Sequence, residues 1–163
     1  MTGKQGICCP KFEVSKWDNN TFNWNEKPFI KASVPTFFHI PLPSMIGKRM
    51  NRLCVLAKKA EANIPDISDA LVMFHDPSAF KSEIFYAVTK PIEGAENTTL
   101  TGTFEAGVFD GPYSSVPRHI KAMNKKLEEQ GKKVRDYYIH YAYCPKCAKK
   151  FGNNYMILFA EME

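Results

Sequence analysis

Residues 101–127 read TGTFEAGVFDGPYSSVPRHIKAMNKKL. Thr101 to Phe109 carries the Phe and Val content of a strand. Gly111-Pro112-Tyr113 is a turn. Ser114 or Ser115 can cap a helix with Pro117 in its first turn, where a missing N–H costs little. Val116, Ile120, Met123 and Leu127 then share one helical face, and Gly131 is placed to stop the helix. Tyr137–Tyr143 and Tyr155–Met162 read as strands. The second half of the chain therefore runs strand, helix, strand, strand.

The same order is legible upstream. A strand is expected from about Phe29 to Ile40, interrupted by Pro35. Pro43-Ser44 opens a helix whose apolar face is Ile46, Met50, Leu53, Cys54, Ala57 and Ala60, and which must end before Pro65. Leu71–His75 is a short apolar run stopped by Asp76-Pro77, Glu83–Val88 reads as a strand, and Pro91–Thr98 as a linker. An offset of 70 carries Ile46, Met50, Leu53 and Ala57 onto Val116, Ile120, Met123 and Leu127. An offset of 68 carries His75-Asp76-Pro77 onto Tyr143-Cys144-Pro145. Because flanking strands and turns fall into step with the helices, the pattern points to a duplication. The expected fold is α+β, a single domain over 1–163. An aromatic arm spans 1–28, repeat one 29–91 and repeat two 99–163. Joined edge to edge, such repeats form a curved antiparallel sheet with two helices on one face and a ligand groove on the other.

Composition narrows the function. Phe 12, Tyr 7 and Trp 2 exceed what the core of one small domain needs, which suggests a stacking surface. No apolar run approaches the ~20 residues of a membrane span, and Met1–Pro10 lacks a signal-peptide stretch, so the expected compartment is the cytoplasm. The net charge of +5 gathers on the two helices, without a nucleic-acid-binding module. The partner expected is a lipophilic small molecule, with no nucleic acid and no membrane; monomer and homodimer both stay open, and no cofactor is implied.

The strand ending in Val108-Phe109-Asp110-Gly111-Pro112-Tyr113 and feeding a capped helix resembles the Gly-Pro-Tyr signature of the GyrI-like small-molecule-binding domains, over about residues 29–163. Cys8-Cys9-Pro10, the Phe22–Phe29 segment and Cys144-Pro145-Lys146-Cys147 resemble a stand-alone branch that includes cyclopropanoid hydrolases. The resemblance implies binding of bulky lipophilic, often cationic compounds in the groove. In some members it implies hydrolysis of cyclopropane-bearing DNA alkylators held in an aromatic cage. Many relatives place a glutamate in the strand after the second helix. Here Tyr137-Tyr138-Ile139-His140-Tyr141 has none, and Glu83 or Glu105 could supply the charge.

Strand alternation assigns faces. With Ile84, Val88, Phe104, Val108, Ile139, Phe38 and Ile40 under the helices, the groove receives Glu83, Phe85, Glu105, Phe109, Tyr138, His140, Phe37 and His39, with Trp24 closing it from the arm. Glu105, His140 and Tyr113 are the catalytic candidates: a glutamate to activate water, a histidine to move a proton, and a phenol to donate to a developing oxyanion. Five cysteines in a cytosolic setting argue against a disulfide framework. Cys144-x-x-Cys147 has zinc-knuckle spacing, and Cys8 and Cys9 could complete a set of four. Reduced thiols are the alternative, and the hairpin-loop position expected for the motif ranks a redox role lower.

Overall fold

The computed structural model describes residues 9–41 and 43–163. Its helices are α1 (Val14–Trp17), α2 (Pro43–Lys59), α3 (Val116–Glu129) and α4 (Pro145–Phe151). Its strands are β1 (Thr21–Phe37), β2 (Ile40–Pro41), β3 (Val72–Ser78), β4 (Lys81–Ala87), β5 (Glu96–Asp110), β6 (Val134–Tyr141) and β7 (Tyr155–Met162). The architecture is mixed α/β with antiparallel pairing, in agreement with the expected class. No helix among the described residues is long and apolar enough to cross a membrane.

The chain divides into two compact units, Trp24–Thr101 and the residues up to Asn23 together with Gly102–Glu163. In the first, β1 pairs with β4 and β4 with β3. Ile30, Ala32 and Val34 of β1, with Ile84 and Val88, bury the apolar stripe of α2 centred on Leu53 and Ala57. In the second, β6 and β5 both pair with β7. Met123 and Leu127 of α3 pack on Leu158 and Ala160, flanked by Ile120, Phe109, Tyr137 and Ile139.

Three elements differ from expectation. First, β1 begins at Thr21, because Phe22 and Trp24 alternate with polar residues at strand period. Secondly, β1 ends at Phe37, and Phe38 and His39 turn back with φ of 50° and 67°. Alternation stops there. Phe37, Phe38 and Ile40 are therefore 68%, 61% and 70% exposed instead of being shared between helix side and groove. The rings of Phe37 and Phe38 lie 4.6 Å apart, with Phe80 5.5 Å from Phe38. His39 Nδ1 lies 3.2 Å from Asp76 Oδ2. Thirdly, the expected loop after β6 contains α4. Cys144 is its N-cap and Gly152, at φ 78°, its left-handed stop. The cysteine motif thus opens a helix directly after a strand.

Two consecutive non-glycine residues with positive φ are costly, and the two-residue hairpin turn of this twist favours Asn-Gly. Replacing Phe38→Asn and His39→Gly together is expected to stabilise the fold by roughly 1–2 kcal/mol, read as an increased urea midpoint at unchanged slope.

Candidate functional site: a buried carboxylate on an aromatic strand face

In β4, Ile84 and Tyr86 turn toward α2, which leaves Glu83 and Phe85 on the other face. His75 of β3 is directly opposite Glu83, and Ser33 of β1 is its partner on the other side, so Lys31 is a diagonal neighbour on the same face. Glu83 is 7% exposed. Lys31 Nζ donates to Glu83 Oε2 at 3.0 Å, and Lys81 Nζ stands 3.7 Å from the same oxygen. His75 Nδ1 lies 3.1 Å from Oε1. Burial works to raise the carboxyl pKa, but the hydrogen bonds from Lys31 and His75 outweigh it and hold Glu83 below the usual carboxylate range. The same bond to Glu83 raises the pKa of Lys31.

Rings surround this charge. Lys31 Nζ lies 5.7 Å from the Phe85 ring centre. Phe85 meets Phe29 edge-on at 6.0 Å and His75 at 6.1 Å. Trp24 is 6.1 Å from Phe29, and Lys27 stands over Trp24 at 5.6 Å. Burial lowers the Lys27 pKa, with Asp69 pulling the other way. A carboxylate beside Nδ1 can orient an imidazole, the arrangement of a general-base dyad.

The structure brings Glu83 and Phe85 together on the helix-free face, as expected. Trp24 joins their neighbourhood as a residue of β1, not as part of a loose arm. Tyr138 and His140 lie on the face opposite α3, with Ile139 beneath the helix, again as expected. Tyr138 meets Phe104 edge-on at 6.0 Å.

For β5 the expected faces are reversed. Glu105 and Phe109 pair with Ala160 and Met156 and lie on the α3 side, whereas Phe104 and Val108 face away. A Cβ on Gly107 would stand 3.2 Å from Met123 Sδ, so the helix side chain occupies that strand position. Phe104 is buried on its own face, so hydrophobicity alone cannot choose between faces. Glu105 and His140 consequently lie on opposite faces of one sheet and do not converge on a substrate. Tyr113 begins the turn before α3, half-exposed, with its ring 5.1 Å from Tyr141. Burial and then the Cys144 sulfur hold its phenol above the usual pKa, so it stays a donor at neutral pH.

The expectation of an uncovered aromatic groove also needs correction. Phe29, Phe85, Phe104, Tyr138 and Phe159 are all less than a tenth exposed. Trp17 and Phe22 each lie 6.0 Å from Phe159. Within each unit these rings pack on one another: Phe29 on Phe85 in the first, Trp17 and Phe22 on Phe159 in the second.

Glu105 and Phe109 do share a cleft of about 620 Å³ beside α3, with Met123, Leu127, Lys126 and Lys132. There Glu105 accepts from Lys132 Nζ at 2.7 Å and from Thr21 Oγ1 at 2.8 Å. Burial opposes ionisation, but these two donors win and depress the Glu105 pKa.

Sequence reasoning missed His75 and Lys31. One signal was available: Lys31 is the one charged residue between Phe29 and Phe37; the pairing of His75 with Glu83 depends on a register shift before Ser78 that the sequence does not announce.

A family model described as "Bacterial hydrolase" matches residues 1–162. The chain belongs to this family. Its fold is similar to the EcmrR C-terminal domain, at 14% identity and TM-score 0.66, covering 90% of this chain and 98% of that one. It is also similar to a hydrolase from Listeria innocua, at 13% identity and TM-score 0.65, covering 94% and 100%. A third similar structure is SAV2435 bound to tetraphenylphosphonium, at 11% identity and TM-score 0.54, covering 88% and 93%. At these identities the likeness is one of fold. No curated protein matches the chain. The resemblance to the GyrI-like small-molecule-binding domains is borne out at the level of family and fold.

A carboxyl whose folded pKa lies below its unfolded value adds stability that is present above the unfolded value, about 4.3, and is lost as pH falls through the folded one. Wild type is therefore expected to lose more stability than Glu83→Gln between about pH 5 and pH 3, measured as urea midpoints across that range. Parallel curves for the two proteins would count against an ionised Glu83 in the fold.

Proposed function

We propose that this bacterial-hydrolase-family protein binds bulky lipophilic aromatic molecules, of xenobiotic type, in the cytoplasm. The observation that carries this reading is the buried, fully partnered carboxylate of Glu83 among Phe85, Phe29 and Trp24. An ionised group costs several kcal/mol to bury even when paired. Apolar residues would pack the same face more cheaply, so a charge kept there suits a site that orients a ligand. Trp24, the partly exposed ring of the set, offers a stacking face to a flat lipophile or a cation, with the buried Phe29 and Phe85 next to it. Repetition of the strand–helix–strand–strand order suits the proposal of a duplicated domain, with Tyr138 and His140 on the helix-free face of the second repeat.

Glu83 is already neutralised by Lys31, with Lys81 close by. A cationic ligand would have to displace Lys31, so neutral aromatic compounds are the better fit for the wild-type site. Tetraphenylphosphonium, the ligand bound to SAV2435, and neutral triphenylphosphine oxide make a suitable pair of probes. Wild type should bind the neutral compound at least as well as the cation. Lys31→Met should shift the preference toward the cation by about tenfold or more, because roughly 1.4 kcal/mol suffices for that factor. Removing both Phe85 and Trp24 rings should weaken either ligand by about tenfold. No binding of either probe to folded wild type would overturn the reading.

A second reading, hydrolysis of strained electrophilic rings such as cyclopropane-bearing DNA alkylators, is favoured by the His75–Glu83 dyad. His75 Nε2 would take a proton from water as the oxygen attacks the ring carbon, and the proton would then pass to the group released as the ring opens. Loss of the strained-ring chromophore, catalysed by wild type but not by Glu83→Gln, would place the protein among enzymes. Binding without turnover leaves the receptor reading in place.

A further inference from the structure

The sulfurs of Cys9, Cys144 and Cys147 all lie within 4.8 Å of one another. They come from places far apart in the sequence: Cys9 precedes α1, Cys144 is the N-cap of α4, and Cys147 lies in its first turn. Cys147 is fully buried, and Cys9 and Cys144 are partly buried. The backbone N–H of Cys144 donates to Cys9 Sγ at 3.4 Å.

We infer that Cys9, Cys144 and Cys147 form a three-thiolate site for zinc(II), which clamps the segment before α1 to the connection between β6 and β7. Zinc–sulfur bonds of about 2.3 Å in a tetrahedron place the sulfurs about 3.8 Å apart. The trio is thus within about 1 Å of ligating separation before any ion enters. A disulfide would instead need one pair at about 2.05 Å and would strand the third sulfur. Convergence of three cysteines from two remote segments is what a metal site requires and a redox pair does not.

The surroundings suit thiolates. Three thiolates on one dication leave a net negative charge, and Lys146, Lys149 and Lys150 of the same short helix answer it. Apolar rings wall the neighbourhood: Tyr143 stacks on Phe151 at 4.7 Å, and Phe12 meets Tyr155 at 5.4 Å. Phe12 N–H also donates to Tyr143 Oη at 2.9 Å, so the chain beside Cys9 is held in place independently of any metal. The expected four-cysteine set included Cys8, which lies outside the described residues. The three sulfurs make the site without it.

The remaining described cysteine, Cys54, is exposed on α2 and serves as an internal control. Fully reduced wild type, exposed to zinc(II) and desalted, should retain about one zinc per chain. Zinc should slow alkylation of Cys9, Cys144 and Cys147 by about tenfold or more, mapped by mass spectrometry, while Cys54 reacts at an unchanged rate. Cobalt(II) alone should give strong thiolate-to-metal absorption, retained in Cys54→Ser and lost in Cys147→Ser and Cys9→Ser. The alkylation map uses only wild type, so misfolding of a variant cannot hide the answer. Equal alkylation with and without zinc, together with no retained metal, would overturn the proposal. So would a Cys144–Cys147 disulfide that persists under strong reductant and excludes the ion.

Discussion

A carboxylate beneath a strand face has to be answered by polar partners from both neighbouring strands, and that requirement governs how β1, β4 and β3 can pair. Glu83 faces His75 on one side and has Lys31 diagonally placed on the other. A one-residue slip of either neighbour would turn its Lys31 or His75 to the α2 face and strip the buried charge of one partner. Removing one member of such a pair commonly costs 3–5 kcal/mol (an order-of-magnitude figure), more than most apolar contacts could return. The polar trio therefore specifies register, while the stripe of Ile30, Ala32, Val34 and Ile84 under α2 supplies most of the burial.

The helices were legible in the sequence because their signal is periodic and one-sided. The apolar stripes of α2 and α3 pack as the spacing implied. The same logic worked for β4 and β6, where Ile84 and Ile139 mark the helix side unambiguously. It failed for β5, since Phe104 is buried on one face while Gly107 admits Met123 on the other. It also failed at Phe37–Ile40, where a hairpin end built from Phe and His carries none of the Asn or Gly that announces such a turn. α4 was missed because a seven-residue helix holds too few apolar positions to show a period. Half of the carboxylate site was visible as Glu83 and Phe85. Lys31 and His75 emerge only when strand register is known.

Glu83 and Glu105 make an instructive pair. Both are ionised against the pull of burial, each by a lysine and one further donor. Glu105 borders an open cleft with a hydroxyl and an exposed lysine for company, as a solvated ion pair does. Glu83 is enclosed by rings and shares its charge with an imidazole. Environment, more than residue type, separates a carboxylate that holds a surface together from one suited to chemistry.

The division of the chain has a consequence for biosynthesis. Trp24–Thr101 is continuous, so its strands and helix are all available once that stretch has left the ribosome. Trp17 and Phe22 belong to the other unit and pack on Phe159, which is made more than a hundred residues later. At roughly 5–20 residues per second, those two rings wait about seven to thirty seconds for their partner. During that interval Trp17 and Phe22 have only each other for native contact, and the nascent chain carries their apolar surface uncovered.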